Sequence, residues 1–363
     1  MTNILFLLKI PPPVHGSTIM NEIVANSRLV NSKDDVLQQS ISSDTEDIGK
    51  FSFRKITKVI WNYVSLIKML FKKRPIFVYF ALSPLGSAFL KDAISVFIIK
   101  VFRVPIVFHL HGKGIKAASK KPMLNSIYKY VFKSERAIVL SDYLKYDIEK
   151  FDLKKIFVLG NGIKDVAYSD ENIHEEFTIT YLSNFIKEKG VINFIEVLEK
   201  LQKKGHIFRI NLIGNPTDIS NDVILERIKD CGLEKYLNHF GPAYGEEKLE
   251  LLSESDLFIF PTYYTNECYP LVLLEAMRAG LPIITSSEGG IRDIVIDGEN
   301  GFIVDPTDIS KMASKAELLK EDTQLRKKMS KRARNLFEKK NTFVAFIDNL
   351  ENILDKIYSD LNQ

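Results

Sequence analysis

Two carboxylates eight positions apart, Glu267 and Glu275, stand in the stretch of this 363-residue chain best supplied with groups that could do chemistry. Glu267 closes a polar loop, and Glu275 falls on the second turn of a short apolar helix that follows it. The backbone N–H groups at a helix start attract a phosphate or another anion. Carboxylates beside those amides are placed to accept hydrogen bonds from the hydroxyls of a ribose or a hexose. Together they suggest recognition of a sugar nucleotide, with diphosphate on the amides and hydroxyls on the acids.

The elements that must hold these groups run from Asp256 to Pro306. Leu257 to Phe260 is an apolar run stopped by Pro261, the signature of a buried parallel strand. Thr262 to Tyr269 is the loop. Pro270 suits the first helical position, where its missing N–H is no loss. Leu271, Leu274 and Met277 share one helical face, and Gly280 suits the left-handed residue after a helix. Leu281 to Thr285 is the next strand, and Gly289-Gly290 the next turn.

The same alternation covers the rest of the chain. Ile4 to Ile10, Pro75 to Ala81, Pro105 to Leu110, Ala137 to Leu140 and Ile156 to Leu159 read as strands. Ile56 to Lys72 and Leu85 to Phe102 read as helices between them. Val14 to Thr18 is a glycine-bearing loop before a helix from about Ile19, an anion-binding arrangement. Residues 31–50 are polar and suit a strand edge and loop. Lys113 to Lys133 is basic with apolar residues at helical intervals, suited either to a membrane surface or to a domain helix with a solvated face. Polar, acidic Lys164 to Glu176 reads as a linker. After it come strands at Thr178 to Leu182, Phe208 to Ile213 and Leu237 to Phe240, and helices at Val191 to Lys203, about 221–231 and 246–253. Two runs of alternating strands and helices predict two doubly wound parallel sheets. Ligands of such sheets sit at the carboxyl ends of strands, and the space between two such domains is a natural cleft.

Composition bounds the function. Residues 1–170 hold 26 Lys and Arg against 14 Asp and Glu, and the remainder 24 against 32, so a basic first half (+12) precedes an acidic second half (−8). The basic half suits an anionic partner, such as a membrane surface. Two cysteines, Cys231 and Cys268, make neither a disulfide framework nor a metal cluster. The first residues lack the pattern of a signal peptide. The longest apolar region, Ala93 to Leu110, is interrupted by Lys100, Arg103 and Pro105. A cytoplasmic protein, or one held peripherally at the inner face of the membrane, is the expectation.

Glu267 and Glu275 also form the E-x7-E pattern of retaining glycosyltransferases of family 4, and the chain resembles that family in more than these two residues. FPT before the loop, NE-x-x-P, LLEAM-x-AG-x-P, GG-I and DG-x-NG-F-I-V follow in order with matching gaps. The resemblance implies a GT-B fold, two Rossmann-like domains facing across a cleft. It implies an acceptor domain over 1–165, a donor domain over 166–340, and a last helix over 341–363 crossing back to the first domain. It implies that Glu275 holds the ribose, Glu267 the donor sugar, and the amides of Leu271 and Val272 the diphosphate. YLSNFIKEKG (181–190) resembles the family's G-R-L-x-x-x-K-G, which places Lys189 on the diphosphate, where leaving-group charge grows. Asn184 stands where the family has an arginine. Gly16 matches the glycine loop that approaches the diphosphate, and His111 of HLHG matches a histidine facing the donor sugar, with His109 the competing position. Asn161-Gly162-Ile163 matches the turn that closes the first domain.

With no Asp-x-Asp in the chain, no metal and no cofactor is expected. The implied reaction is retaining transfer from a nucleoside-diphosphate sugar, UDP-linked, to a glycan or lipid-linked acceptor of a capsule or lipopolysaccharide, with no nucleic-acid partner. Two alternatives share the fold: a sugar-nucleotide epimerase, and an inactive nucleotide-binding module.

Overall fold

The computed structural model describes residues 3–39, 53–166 and 176–362. The chain divides into two compact units, one of residues 1–162 with 343–363 and the other of residues 163–342.

The first unit is built on β1 (Ile4–Leu8), α1 (Gly16–Ala25), β2 (Val36–Gln38), α2 (Phe53–Lys73), β3 (Phe77–Leu82), α3 (Gly86–Val101), β4 (Ile106–Leu110), α4 (Ile115–Ala118), α5 (Pro122–Phe132), β5 (Arg136–Val139) and β6 (Lys155–Val158). Its six strands lie in the order β2-β1-β3-β4-β5-β6, every pair parallel. All five residues of β1, all six of β3 and all five of β4 are buried, as a sheet covered on both faces requires. Each large side chain so buried contributes about 1.5–3 kcal/mol. The connections β2→β3, β3→β4 and β4→β5 all advance in one direction, so right-handed crossovers put α2, α3 and α5 on one face. The connection β1→β2 runs the other way and puts α1 on the opposite face. Phe89 of α3 stacks on Tyr128 of α5 at 4.1 Å between ring centres, and the Tyr128 hydroxyl donates to the Pro84 carbonyl at 2.6 Å.

The second unit repeats the plan with β7 (Thr178–Leu182), α6 (Val191–Lys203), β8 (Arg209–Ile213), α7 (Asn221–Asp230), β9 (Leu237–Gly241), α8 (Gly245–Ser253), β10 (Leu257–Phe260), α9 (Leu271–Arg278), β11 (Ile283–Thr285), α10 (Ile291–Ile294), β12 (Gly301–Ile303), α11 (Ile309–Glu321) and α12 (Thr323–Lys340). The strand order is β12-β11-β10-β7-β8-β9, again all parallel. The chain winds outward from β7 through β9 and returns to lay β10 on the other side of β7. That reversal is the topological switch point, where such sheets bind ligands. The last helix, α13 (Phe343–Leu361), belongs to the first unit. Arg28, just past α1, reaches its Asp348 and Glu351.

Three local readings change. The first helix begins at Gly16, three residues before the expected Ile19, because His15 caps it. The basic segment Lys113 to Lys133 is two helices, α4 and α5; Tyr128 and Val131 of α5 are buried in the first unit. Asp147 accepts from the N–H groups of Gly114, Ile115 and Lys116 at 2.8–3.0 Å, which fixes the start of α4. Pro270 is the cap residue before α9, one position ahead of the place expected. Of the expected linker Lys164 to Glu176, residues 167–175 lie outside the described residues, as do 40–50 of the polar 31–50 segment. Val36–Gln38 of that segment is the edge strand beside β1.

Candidate functional site

In the second unit the predicted residues come together at the switch point. The loop after β7 carries Asn184, exposed, and Lys189, half-buried in a single 3-10 turn. The loop after β10 carries Glu267, buried at 8% exposure. The Lys189 ammonium lies 3.8 Å from the Glu267 carboxylate and 5.6 Å from the centre of the Tyr264 ring.

The backbone holds these two loops against each other. Tyr263 N–H donates to the Glu188 carbonyl at 2.7 Å, and the Tyr181 hydroxyl donates to the Lys189 carbonyl at 3.3 Å. Burial pushes the Tyr181 phenol far above its ordinary range, so it stays a donor. Gly190 has φ +83°, and a Cβ there would lie 2.2 Å from the Pro261 carbonyl oxygen. Gly289 has φ +56°, and its Cβ would lie 2.2 Å from the carbonyl oxygen of Glu267 itself. Both positions need glycine twice over, for the left-handed backbone and for the close approach. Gly290 N–H donates to the Cys268 carbonyl at 2.7 Å. Cys268 is a buried loop thiol beside the Asn266 carbonyl.

Helix α9 starts directly after this loop. No side chain caps it, and Leu273 N–H turns back to the Pro270 carbonyl at 3.2 Å. The amides of Leu271 and Val272 are helix-start donors without an intrahelical acceptor. Gly280, at φ +70°, ends the helix, with its N–H on the Met277 carbonyl. Glu275 is half-buried and accepts from Lys248 of α8 at 2.6 Å. Lys248 sits one turn beyond Tyr244, the cap residue of α8, which is 67% exposed and exchanges hydrogen bonds of 2.8 and 3.2 Å with Asn215. Tyr244, Lys248 and Glu275 thus form a continuous run at the carboxyl edge of the sheet. Sequence reasoning missed Lys248 and Tyr244, because in GPAYGEEKLELLS nothing distinguishes them from solvated residues of a surface helix.

In the first unit, Gly16 is the first residue of α1. The His15 Nδ1 accepts from Thr18 N–H at 3.3 Å, and the Thr18 hydroxyl accepts from His15 N–H at 3.0 Å. Burial lowers the His15 pKa. His109, inside β4, is wholly buried with its Nδ1 on the Tyr79 hydroxyl. Its ring stands 4.1 Å from that of His111. Burial, reinforced by His15, holds His111 down to a pKa of about 4. Neither His111 ring nitrogen has a hydrogen-bond partner, and both are withdrawn from solvent. A buried polar atom without a partner calls for a ligand or water. His109 thus bonds Tyr79 through one nitrogen and leaves its Nε2 without a partner, while His111, the residue after β4, has both nitrogens without one.

The arrangement in the second unit can hold an anion on the α9 amides and Lys189, and hydroxyls on Glu267 and Glu275. Residues 167–336 match the family model described as glycosyl transferases group 1. The chain is 27% identical over 238 residues to the capsular polysaccharide biosynthesis glycosyltransferase CapM of Staphylococcus aureus, covering 60% of each chain. It is 26% identical over 245 residues to the N-acetyl-alpha-D-glucosaminyl L-malate synthase of Bacillus anthracis, covering 64% of this chain and 62% of that protein. The matches thus span about three fifths of these two relatives' length. The Anabaena protein HepE, solved in complex with UDP, superposes over 98% of this chain and 100% of its own, with a TM-score of 0.76 at 18% identity. The fold is GT-B.

Proposed function

We propose that the chain is a retaining glycosyltransferase, independent of metal, that moves a sugar from a UDP-sugar to a glycan or lipid-linked acceptor in surface polysaccharide synthesis. The observation that carries this reading is the juxtaposition at the switch point of Lys189, Glu267 and the uncapped start of α9. Diphosphate binds the Leu271 and Val272 amides and Lys189. Glu275 accepts from the ribose hydroxyls, and Lys248, 2.6 Å away, aims that carboxylate. Tyr244 offers its face to the base. Glu267 accepts from donor-sugar hydroxyls, and in the first unit the orphaned nitrogens of His111 are left to hydrogen-bond a hydroxyl ligand. Asn184, exposed beside Lys189 in the same loop, donates to a phosphate oxygen in place of a cation. The anomeric carbon–oxygen bond breaks toward the diphosphate, whose growing charge the amides and Lys189 stabilise. The leaving phosphate oxygen takes the proton of the acceptor hydroxyl as that oxygen attacks from the same face. Two-carboxylate retention would need an enzyme nucleophile about 3 Å from the sugar carbon, and Glu267, engaged with Lys189, serves the hydroxyls instead.

The test is proton NMR of sugar released from a panel of UDP-sugars, with water as the slow acceptor, in the presence of EDTA. The expected first product keeps the donor's anomeric configuration, at a rate EDTA leaves unchanged. Inverted product, a trapped glycosyl-enzyme or loss of turnover in EDTA contradicts this mechanism, and acceptor-independent isomerisation of the UDP-sugar points to the epimerase.

A further inference from the structure

Helix α2 carries a row of apolar residues on its outside. Ile60, Trp61, Val64, Ile67 and Phe71 recur at helical intervals and are all exposed, Trp61 to 66% and Phe71 to 74%. Its inner face is buried separately through Leu66 and Leu70, so the outward apolar row is surplus to the core. Helix α3 repeats the pattern. Leu90, Ile94, Phe97 and Val101 are exposed at the same spacing, Phe97 to 56%, while Phe89, Val96 and Ile99 face inward. The two helices adjoin on the same face of the sheet, so the rows make one surface. A contiguous apolar patch of this kind marks an interaction site.

The charge around the patch narrows the partner. Helix α2 contains no acidic residue. The only acid of α3, Asp92, is buried against Lys9. Lys58, Lys68 and Lys72 are exposed on α2, and Arg74 and Arg103 follow the two helices. Lys68 lies over the Trp61 ring at 5.5 Å. Lys73 is excluded, because it is paired with Asp35. A second copy of the chain fits poorly, because a two-fold contact would bring these lysines against themselves. Exposed Trp and Phe rimmed by lysine, with no exposed acid on either helix among the described residues, match the boundary between anionic headgroups and acyl chains.

We propose that the outward face of α2 and α3 is a docking surface for an anionic lipid bilayer. Trp61 and Phe71 insert to the depth of the headgroups, and Lys58, Lys68 and Lys72 pair with lipid phosphates. The surface stands on its own residues; its use, bringing a transferase to a lipid-linked acceptor, rests on the reading above.

Trp61 is the only tryptophan of the chain, so its fluorescence reports the surface directly. The full chain is titrated with phosphatidylglycerol–phosphatidylcholine vesicles and with phosphatidylcholine alone, and co-sedimentation is measured in parallel. The expected result is a blue shift of Trp61 and sedimentation with the anionic vesicles only, weakened by salt. Replacing Lys58, Lys68 and Lys72 by Ser should weaken binding about fivefold per cation. Ile60→Glu with Phe71→Glu should abolish it, with an unchanged melting midpoint and unchanged UDP binding by calorimetry. Absence of a blue shift with anionic vesicles overturns the proposal, as does equal binding to neutral ones. So does a concentration-dependent dimer, seen by light scattering without lipid, that itself shifts Trp61 emission. Protein that binds vesicles but no nucleotide keeps this surface and removes the transferase reading; nucleotide binding without vesicles does the reverse.

Discussion

His111 shows how position changes what a residue type can do. Its pKa of about 4, set by burial, keeps the ring neutral at pH 7, so one nitrogen donates and the other accepts. The folded chain therefore binds this proton only below about pH 4, whereas the unfolded chain binds it below about 6.5. Between those values the unfolded state holds more protons, and stability falls as the pH falls. His111→Gln should flatten the melting midpoint between pH 6.5 and 4, where the parent chain loses stability on the order of 1–3 kcal/mol from this group. Urea unfolding across that range measures it; equal pH slopes in parent and variant would contradict the assignment. The same variant should lower turnover while UDP affinity stays within about twofold, because His111 is assigned to the sugar. At this scale the sequence was informative where a residue sits in a motif, as Glu267 and Glu275 do. It was silent on Lys248, whose meaning comes only from the 2.6 Å contact with Glu275, and it left His109 and His111 in competition.

At the scale of elements, the parallel strands were legible because burial on both faces leaves runs of apolar residues. Thr178–Leu182, Leu257–Phe260 and Val191–Lys203 have the bounds their patterns imply. The starts of α1 and α9 were misread by a few residues, since His15 is an unusual cap and proline serves on either side of a helix boundary. The outward apolar row of α2 was invisible, because periodicity gives a face and not the direction that face takes. What positions the candidate site is the pair of glycines that let the β7, β10 and β11 loops touch. Gly289→Ala would set a Cβ 2.2 Å from the Glu267 carbonyl oxygen in a left-handed backbone. The substitution should cost about 2–4 kcal/mol and move Glu267, so that the melting midpoint drops and donor-sugar affinity weakens by about tenfold or more. Gly298→Ala, also left-handed but with nothing within 4 Å of the added Cβ, separates the two causes: it should cost stability alone. Equal loss of donor affinity in both variants would contradict the positioning role.

At the scale of the whole molecule, one plan is used twice, and the switch point of the second sheet gathers Lys189, Glu267 and the start of α9. The two-sheet class was readable from alternation alone. The candidate site was legible because most of it lies on one loop and one short helix whose residues are close in sequence. Lys189, some eighty residues away, depends on the pairing of β7 with β10 to bring it there. The most direct test of the central claim is calorimetric binding of UDP, GDP, ADP and CMP to the parent chain, to Lys189→Ala and to Glu275→Ala. The account predicts clear binding of UDP over the other three, weakened about tenfold or more by each substitution as a charged hydrogen bond is lost. Failure of every nucleotide to bind, or undiminished UDP affinity in both variants, would contradict it.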